Sequence, residues 1–161
     1  MKQRLEDIIN EARELVRAGN EDAAIVLANE LIEQYPLEAK SWSLRGNLYA
    51  RKKEYSGAIK DITKAISIHP ESIFFYARGR YHFSSGEYAL AVEDFRQGLS
   101  GENYDDESYR VELFFWRAEA LIKLNKKQEA LTDIARIGED FKTWTFALRK
   151  KSDLIDDCEK L

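Results

Sequence analysis

Apolar and small residues recur along this chain in one pattern written three times. Residues 41–49, 73–82 and 114–121 superpose so that Arg45-Gly46, Arg78-Gly79 and Arg117-Ala118 align. Twelve positions after each small residue stands an alanine (Ala58, Ala91, Ala130), and four further on a large apolar residue (Ile62, Phe95, Ile134). Small, alanine and large at fixed offsets describe two helices that cross too closely for anything but small side chains. Such a pair cannot bury its apolar face alone, so the copies are expected to stack.

Periodicity and helix breakers predict nine helices. Four pairs run at about 3–18 with 21–35, 37–52 with 55–69, 71–85 with 88–99, and 107–124 with 127–139. Turn signals separate the members of each pair: Gly19-Asn20, residues 52–54, residues 84–86 and Asn125. Pro36 and Pro70 fall between pairs, where proline opens a helix at little cost. A ninth helix is expected from about 141 to 160, with Trp144, Leu148, Ile155 and Cys158 on one face and Arg149, Lys150, Asp153, Asp156 and Asp157 on the other. That pattern suits a cap with one apolar and one wet side.

Residues 39–70 carry a resemblance. Trp42, Gly46, Tyr49, Ala58, Ala65 and Pro70 occupy the signature positions of the tetratricopeptide repeat, and the chain resembles that family over roughly residues 3–139. A weaker first copy aligns Ala12, Ala24 and Pro36 with Gly46, Ala58 and Pro70 at a spacing of 34, and later spacings of 33 and 39 place an insertion at 100–107. The resemblance implies an all-α fold, a right-handed α-solenoid of about four helix pairs with a C-terminal capping helix. Its expected organisation is a single domain over 1–161, with repeats at about 3–36, 37–70, 71–106 and 107–140 and the cap at 141–161.

Composition narrows the function. A net charge of −4 argues against non-specific nucleic-acid binding, which needs Lys and Arg to neutralise phosphates. Cys158 is the only cysteine, so no internal disulfide framework is expected and a reducing compartment fits. No apolar leader core opens the chain, and its longest apolar run, Ala23 to Ala28, is too short to span a bilayer. The expectation is a cytoplasmic protein without membrane attachment. His69 and His82 are not spaced for metal binding, and no nucleophile elbow, P-loop or dinucleotide fingerprint appears, so neither enzymatic activity nor a cofactor is expected. His82, aligned with Tyr49 and Leu121, reads as a hydrogen-bonded core histidine. The acidic run at 105–107 lacks the alternation and turn glycine of a calcium loop and reads as stabilising a helix N-terminus.

Arg45, Arg78 and Arg117 each precede an aspartate by sixteen residues: Asp61, Asp94 and Asp133. The plain reading is an ion pair joining the two helices of a repeat; the alternative is an arginine ladder for anions. The first copy favours pairing, because its equivalents, Glu11 and Leu27, lose both partners together.

In the family the resemblance names, first helices line a concave groove where ligands lie. Helical spacing puts Ile9, Arg13 and Arg17 there, then Lys40, Ser43, Leu44, Asn47 and Arg51. The third and fourth copies add Ile73, Tyr76, Arg80 and Phe83, and Glu112, Phe115, Trp116, Glu119 and Lys123. The partner-binding candidates among them are Arg13, Arg17, Asn47, Arg51, Tyr76, Arg80, Phe83, Trp116 and Lys123. Arginine beside aromatic residues is the composition of a binding hot spot, which points to a protein or peptide with acidic and apolar portions. Packing of Phe115 and Trp116 on the insertion or the last helix is the competing reading. The family's carboxylate clamp for chaperone tails would need Lys and Asn where Ile9 and Arg13 stand, Asn at Leu44, and Lys and Arg at Ile73 and Ala77, so that role is not expected. Two classes remain: an interaction module or adaptor that holds a partner segment in the groove, or a dedicated one-partner protein, a secretion chaperone or toxin-neutralising immunity protein, working through acidic outer surface. Self-association stays open.

Overall fold

The computed structural model describes residues 2–100, 107–141 and 149–161, with side chains from residue 4 in the first stretch and 109 in the second. They form nine helices: α1 (Lys2–Arg17), α2 (Glu21–Gln34), α3 (Ala39–Arg51), α4 (Tyr55–Ile68), α5 (Ser72–Ser84), α6 (Tyr88–Ser100), α7 (Glu107–Lys123), α8 (Lys127–Ile134) and α9 (Lys151–Glu159). Packing divides the chain into two compact units, Met1–Pro70 with α1 to α4 and Glu71–Leu161 with α5 to α9. Inside each unit every helix packs on the next in sequence, and in the second unit α7 also meets α5 and α9.

The turn inside each helix pair has one geometry. Gly19, Lys53, Gly86 and Asn125 adopt φ of 76°, 62°, 83° and 57°. Each stands seven residues after the small residue of its copy (Ala12, Gly46, Gly79, Ala118), so the left-handed residue repeats with the crossing. The next residue's N–H then reaches five residues back, Asn20 to Leu15, Glu54 to Tyr49, Glu87 to His82 and Lys126 to Leu121, at 2.8–2.9 Å. That bond satisfies a helix-end carbonyl and reverses the chain in a fixed direction. Two of the four positions carry glycine, which enters this region without steric penalty; Lys53 does not have that freedom.

The small-residue column is buried as its spacing predicts. Ala12, Ala24 and Ala28 are fully buried in the first unit with Leu48, and Leu5, Ile9 and Leu31 form a second cluster beside them. A Cβ on Gly46 would lie 3.1 Å from Ile62 and 3.2 Å from the Ala58 carbonyl. In the second unit the approach is closer still, since a Cβ on Gly79 would lie 2.6 Å from the Phe95 ring. Phe95 is wholly buried with Ala91, Leu113 and Ala120 and has no room to withdraw.

The crossings at Gly46, Gly79 and Ala118 are each tied by an ion pair. Arg45 Nε and Nη2 donate to the two Asp61 oxygens at 2.7 and 2.8 Å, and Arg117 donates in the same way to Asp133 at 2.7 and 2.5 Å. Arg78 meets Asp94 through Nε at 3.0 Å and Nη2 at 2.6 Å. The aspartates are buried, and one aromatic residue three positions before each arginine lies under its guanidinium: Trp42 at 5.3 Å, Phe75 at 5.8 Å and Phe114 at 5.6 Å. The pairing reading of the arginine column is therefore the observed one. Arg45 also donates to Asn29 at 2.8 Å, joining α3 to the preceding α2.

Two expected boundaries differ. Helix α8 stops at Ile134 instead of 139, and Arg136 and Ile137 bond three residues back to Asp133 and Ile134, a tightened final turn that still buries Ile137. The last helix starts at Lys151, ten residues later than expected, where the Lys150 N–H donates to the Asp153 carboxylate at 2.7 Å. Trp144 and Leu148, assigned to its apolar face, lie outside the described residues. Leu154 and Cys158 form the buried face of α9, packed with Leu121, Ile122, Ala130 and Ile134. The capping role thus holds over a shorter helix.

Two stability outcomes follow. Gly79→Ala gains helix propensity but drives a methyl into Phe95, and should lower unfolding free energy by about 1–2 kcal/mol in urea denaturation. An unchanged midpoint would mean the crossing is looser than 2.6 Å implies. Lys53→Gly relieves the left-handed conformation and should raise the unfolding free energy by up to about 1 kcal/mol; a fall would show that the lysine is not strained there.

Candidate functional site

The first-helix residues singled out in the sequence fall in both units. In the first unit their charge is largely compensated. Arg17 pairs with Glu14 on its own helix, and Arg13 donates to Asn10 at 3.0 Å. Lys40 meets Glu6 at 2.6 Å, Arg51 meets Glu21 at 3.0 Å and the adjacent Lys52 meets Asp22 at 2.7 Å. The hydrogen bond from Arg51 holds the Glu21 carboxyl below its ordinary range, and Lys40 does the same for Glu6. Asn47 donates to Ser43 at 3.4 Å. Ile9 is not a groove residue: it is buried with Leu5 and Leu31, because the spacing that marks a helix face cannot say whether a neighbour covers it.

In the second unit α5 and α7 bring the aromatic residues together. Tyr76, Arg80 and Phe83 share one face of α5 at spacings of four and three, and Glu112, Trp116, Glu119 and Lys123 share one face of α7. The Arg80 guanidinium lies 4.0 Å over the Trp116 ring, and its Nη1 donates to the Tyr76 hydroxyl at 2.8 Å. Phe83 meets Trp116 edge-on at 5.3 Å between centroids and Tyr88 at the same distance. Tyr109 closes the other end, edge-on to Tyr76 at 5.8 Å. Trp116 Nε1 donates to Glu112 at 3.2 Å. Burial pushes the Tyr76 hydroxyl's pKa up, against the opposing pull of Arg80. Among the described residues no carboxylate pairs with Arg80, which distinguishes it from Arg45, Arg78 and Arg117.

The neighbouring Phe115 belongs to the core. It is 1% exposed and packs on Phe141 at 5.7 Å in the cluster that α9 covers, whereas Trp116 is partly buried against that cluster and meets Phe115 edge-on at 5.7 Å. Glu119 is also removed from the surface. It is buried against Arg149, whose Nε lies 2.9 Å away and whose Nη2 reaches Asp157 at 2.6 Å. Burial raises the Glu119 pKa, more than Arg149 and Lys123 lower it. Lys123 itself is exposed at the end of α7. His82 is half-buried, with Nδ1 2.9 Å from Glu87 and Nε2 3.8 Å from Asp94, a partnered histidine as expected.

Two members of this face escaped the sequence reading. Tyr109 stands seven residues before Trp116 and three before Glu112, so extending the same helical rule one turn would have reached it. Tyr88 begins α6, a second helix, where a rule about first helices does not look.

The tetratricopeptide repeat profile matches residues 39–72, and a second profile of the same description matches 76–140. The chain belongs to the tetratricopeptide repeat family. Human tetratricopeptide repeat protein 13 is 29% identical over 144 residues, covering 88% of this chain and 15% of that protein. The chain spans 11 to 30% of the length of the curated relatives it matches. A crystal structure of YrrB, described as a TPR protein with an unusual peptide-binding site, matches with a TM-score of 0.66 at 22% identity, covering 80% of this chain and 64% of that one. The TPR2B-domain:pHsp70 complex of yeast Sti1 matches with a TM-score of 0.67 at 23% identity, covering 73% and 96%. Among the described residues of this tetratricopeptide repeat chain, no group of three or more His, Cys, Asp or Glu is placed to hold a metal ion, and no helix is long and apolar enough to cross a membrane.

The buried Glu119 carries a pH signature. Its folded pKa is raised, so the folded protein holds the proton more tightly than the unfolded chain, and its contribution to stability is lost as pH rises through that value. In chemical denaturation from pH 8 toward pH 5, wild type should therefore gain stability relative to Glu119→Gln. A gap that instead widens toward pH 8 would show that the Arg149 ion pair outweighs burial.

Proposed function

We propose that this chain is a non-catalytic protein-binding module, and that it holds a segment of a partner protein against the α5 and α7 face. One observation carries the reading: Arg80 stacked on Trp116 and flanked by Tyr76 and Phe83, a cation without a carboxylate among the described residues on a half-buried aromatic floor. Aromatic and arginine side chains held rigidly by their neighbours give much contact for little lost freedom, which is how binding hot spots work. The partner segment would carry apolar and acidic residues to match. Neighbours in the fold whose descriptions name a peptide-binding site or a peptide complex support the class. Lys40 and Arg51 of the first unit, already paired across its helices, would contribute less.

The test begins with affinity capture from the native cell and proceeds to calorimetric titration of the identified partner. Arg80→Glu and Trp116→Ala should each weaken binding by about 1–2 kcal/mol with helicity unchanged. Added salt should erode the Arg80 contribution more than the Trp116 one, because only the former is mainly electrostatic. Wild-type affinity in both variants, with loss on charge reversal at the outer acids Glu87, Glu93 or Glu129, would replace this reading with a dedicated inhibitor that works from its acidic outer surface.

A further inference from the structure

The geometry points to a partner segment that presents one internal aspartate or glutamate side chain to Arg80, flanked by apolar residues, and not a phosphate, a run of acids or a chain terminus. This rests on the α5 and α7 face being the binding face. Three features of that face lead to it.

The first is the state of the guanidinium. Arg45, Arg78 and Arg117 each close their fork on an aspartate. Arg80 is held instead by the Trp116 ring below it and by one hydrogen bond to Tyr76. Stacking uses the flat surface and leaves the edge of the fork, whose remaining N–H groups match the two oxygens of a carboxylate. The plane is already fixed by Trp116, so little side-chain freedom is lost when a carboxylate arrives.

The second is the charge beside it. Glu112 accepts from the indole N–H of the same Trp116 at 3.2 Å, and its field reaches Tyr76. A monoanion can satisfy Arg80 at this site. A phosphate dianion or a second acidic residue brings charge beyond the single unit that Arg80 carries. A free C-terminal carboxylate is disfavoured on different grounds, because an apolar surface lies on both sides of the cation and a chain that ended at Arg80 would cover only one of them.

The third is that apolar surface. Phe83 and Tyr88 stand on one side of the stacked pair and Tyr76 with Tyr109 on the other. Tyr109 is 37% exposed and so is available to a partner side chain. Apolar residues before and after the acid would bury these rings and exclude water from the ion pair, which strengthens it.

The experiment uses the full chain and a synthetic pool of N-acetylated, C-amidated dodecapeptides. A fixed central position holds Asp, Asn or phosphoserine, with randomised flanks drawn from Leu, Phe, Ala, Ser and Gln; a second pool carries three consecutive Asp, and a third ends in a free carboxylate with Asn at the centre. Wild type should enrich central Asp at least about fivefold over Asn, and over every other pool, with Leu or Phe on both flanks. In Arg80→Gln the Asp preference should vanish while any Leu and Phe preference persists; Arg80→Lys should keep part of it, since the charge remains and the planar stack does not. Circular dichroism checks that both variants keep their helices. Equal recovery of Asp and Asn by wild type, whether high or absent, overturns the inference, as does preference for phosphoserine, the acidic run or the free carboxylate. If Trp116→Ala still weakens the captured partner in that case, the binding face stands and only the single-carboxylate rule falls.

Discussion

The close crossing of the two helices in each repeat is the constraint on which the rest of this protein depends. Gly46 and Gly79 bring backbone within van der Waals contact of Ile62 and Phe95, and Ala12 and Ala118 are fully buried at the matching positions. At that separation an arginine one residue before the crossing can reach an aspartate sixteen residues later with both oxygens in range. The same register places the left-handed turn residue seven positions after the small one. Widening the crossing would take the arginines away from three buried aspartates, and an unpaired buried charge is among the most destabilising changes a core can suffer.

That packing also sorts the arginines by task. Those beside the small column are consumed by the scaffold, neutralised by aspartate and covered by an aromatic residue. Those of the first unit's helices α1 and α3 find acids or amides on neighbouring turns or helices. Arg80 differs because its turn of α5 faces α7, where the nearest groups are the faces and edges of aromatic rings. A cation stabilised by π surface keeps most of its hydrogen-bonding capacity, whereas one clamped by a carboxylate does not. The candidate site is thus a consequence of which side chains the neighbouring helix offers at that level.

The C-terminal helix sets the limit of the face. Leu154 and Cys158 cover the apolar cluster of α7 and α8, and Arg149 enters beside them to meet Glu119. Glu119 lies on the same side of α7 as Trp116, so the cap's cation takes up ground that helical spacing alone assigns to a ligand. The aromatic face runs from Tyr109 to Trp116 on α7 and from Tyr76 to Phe83 on α5.

The sequence by itself determined the repeat, the helix pairs, their turns and the arginine–aspartate pairing. Each of these depends on fixed offsets within about one repeat, and local geometry converts such offsets into contacts without reference to the rest of the chain. It marked the face on which Arg80, Tyr76, Phe83 and Trp116 meet, since helical spacing places residues on a side. Only the tertiary structure decided which of those residues are covered. Ile9 is sealed by Leu5 and Leu31, Phe115 by Phe141 and the cap's cluster, and Glu119 by Arg149, each through contacts whose partners the helical period does not name. The compensation of Lys40 and Arg51 by Glu6 and Glu21 was likewise hidden, because those pairs join residues 34 and 30 apart on different helices. Periodicity fixes direction along one helix, while exposure and charge balance depend on what the neighbouring helices bring to the same level.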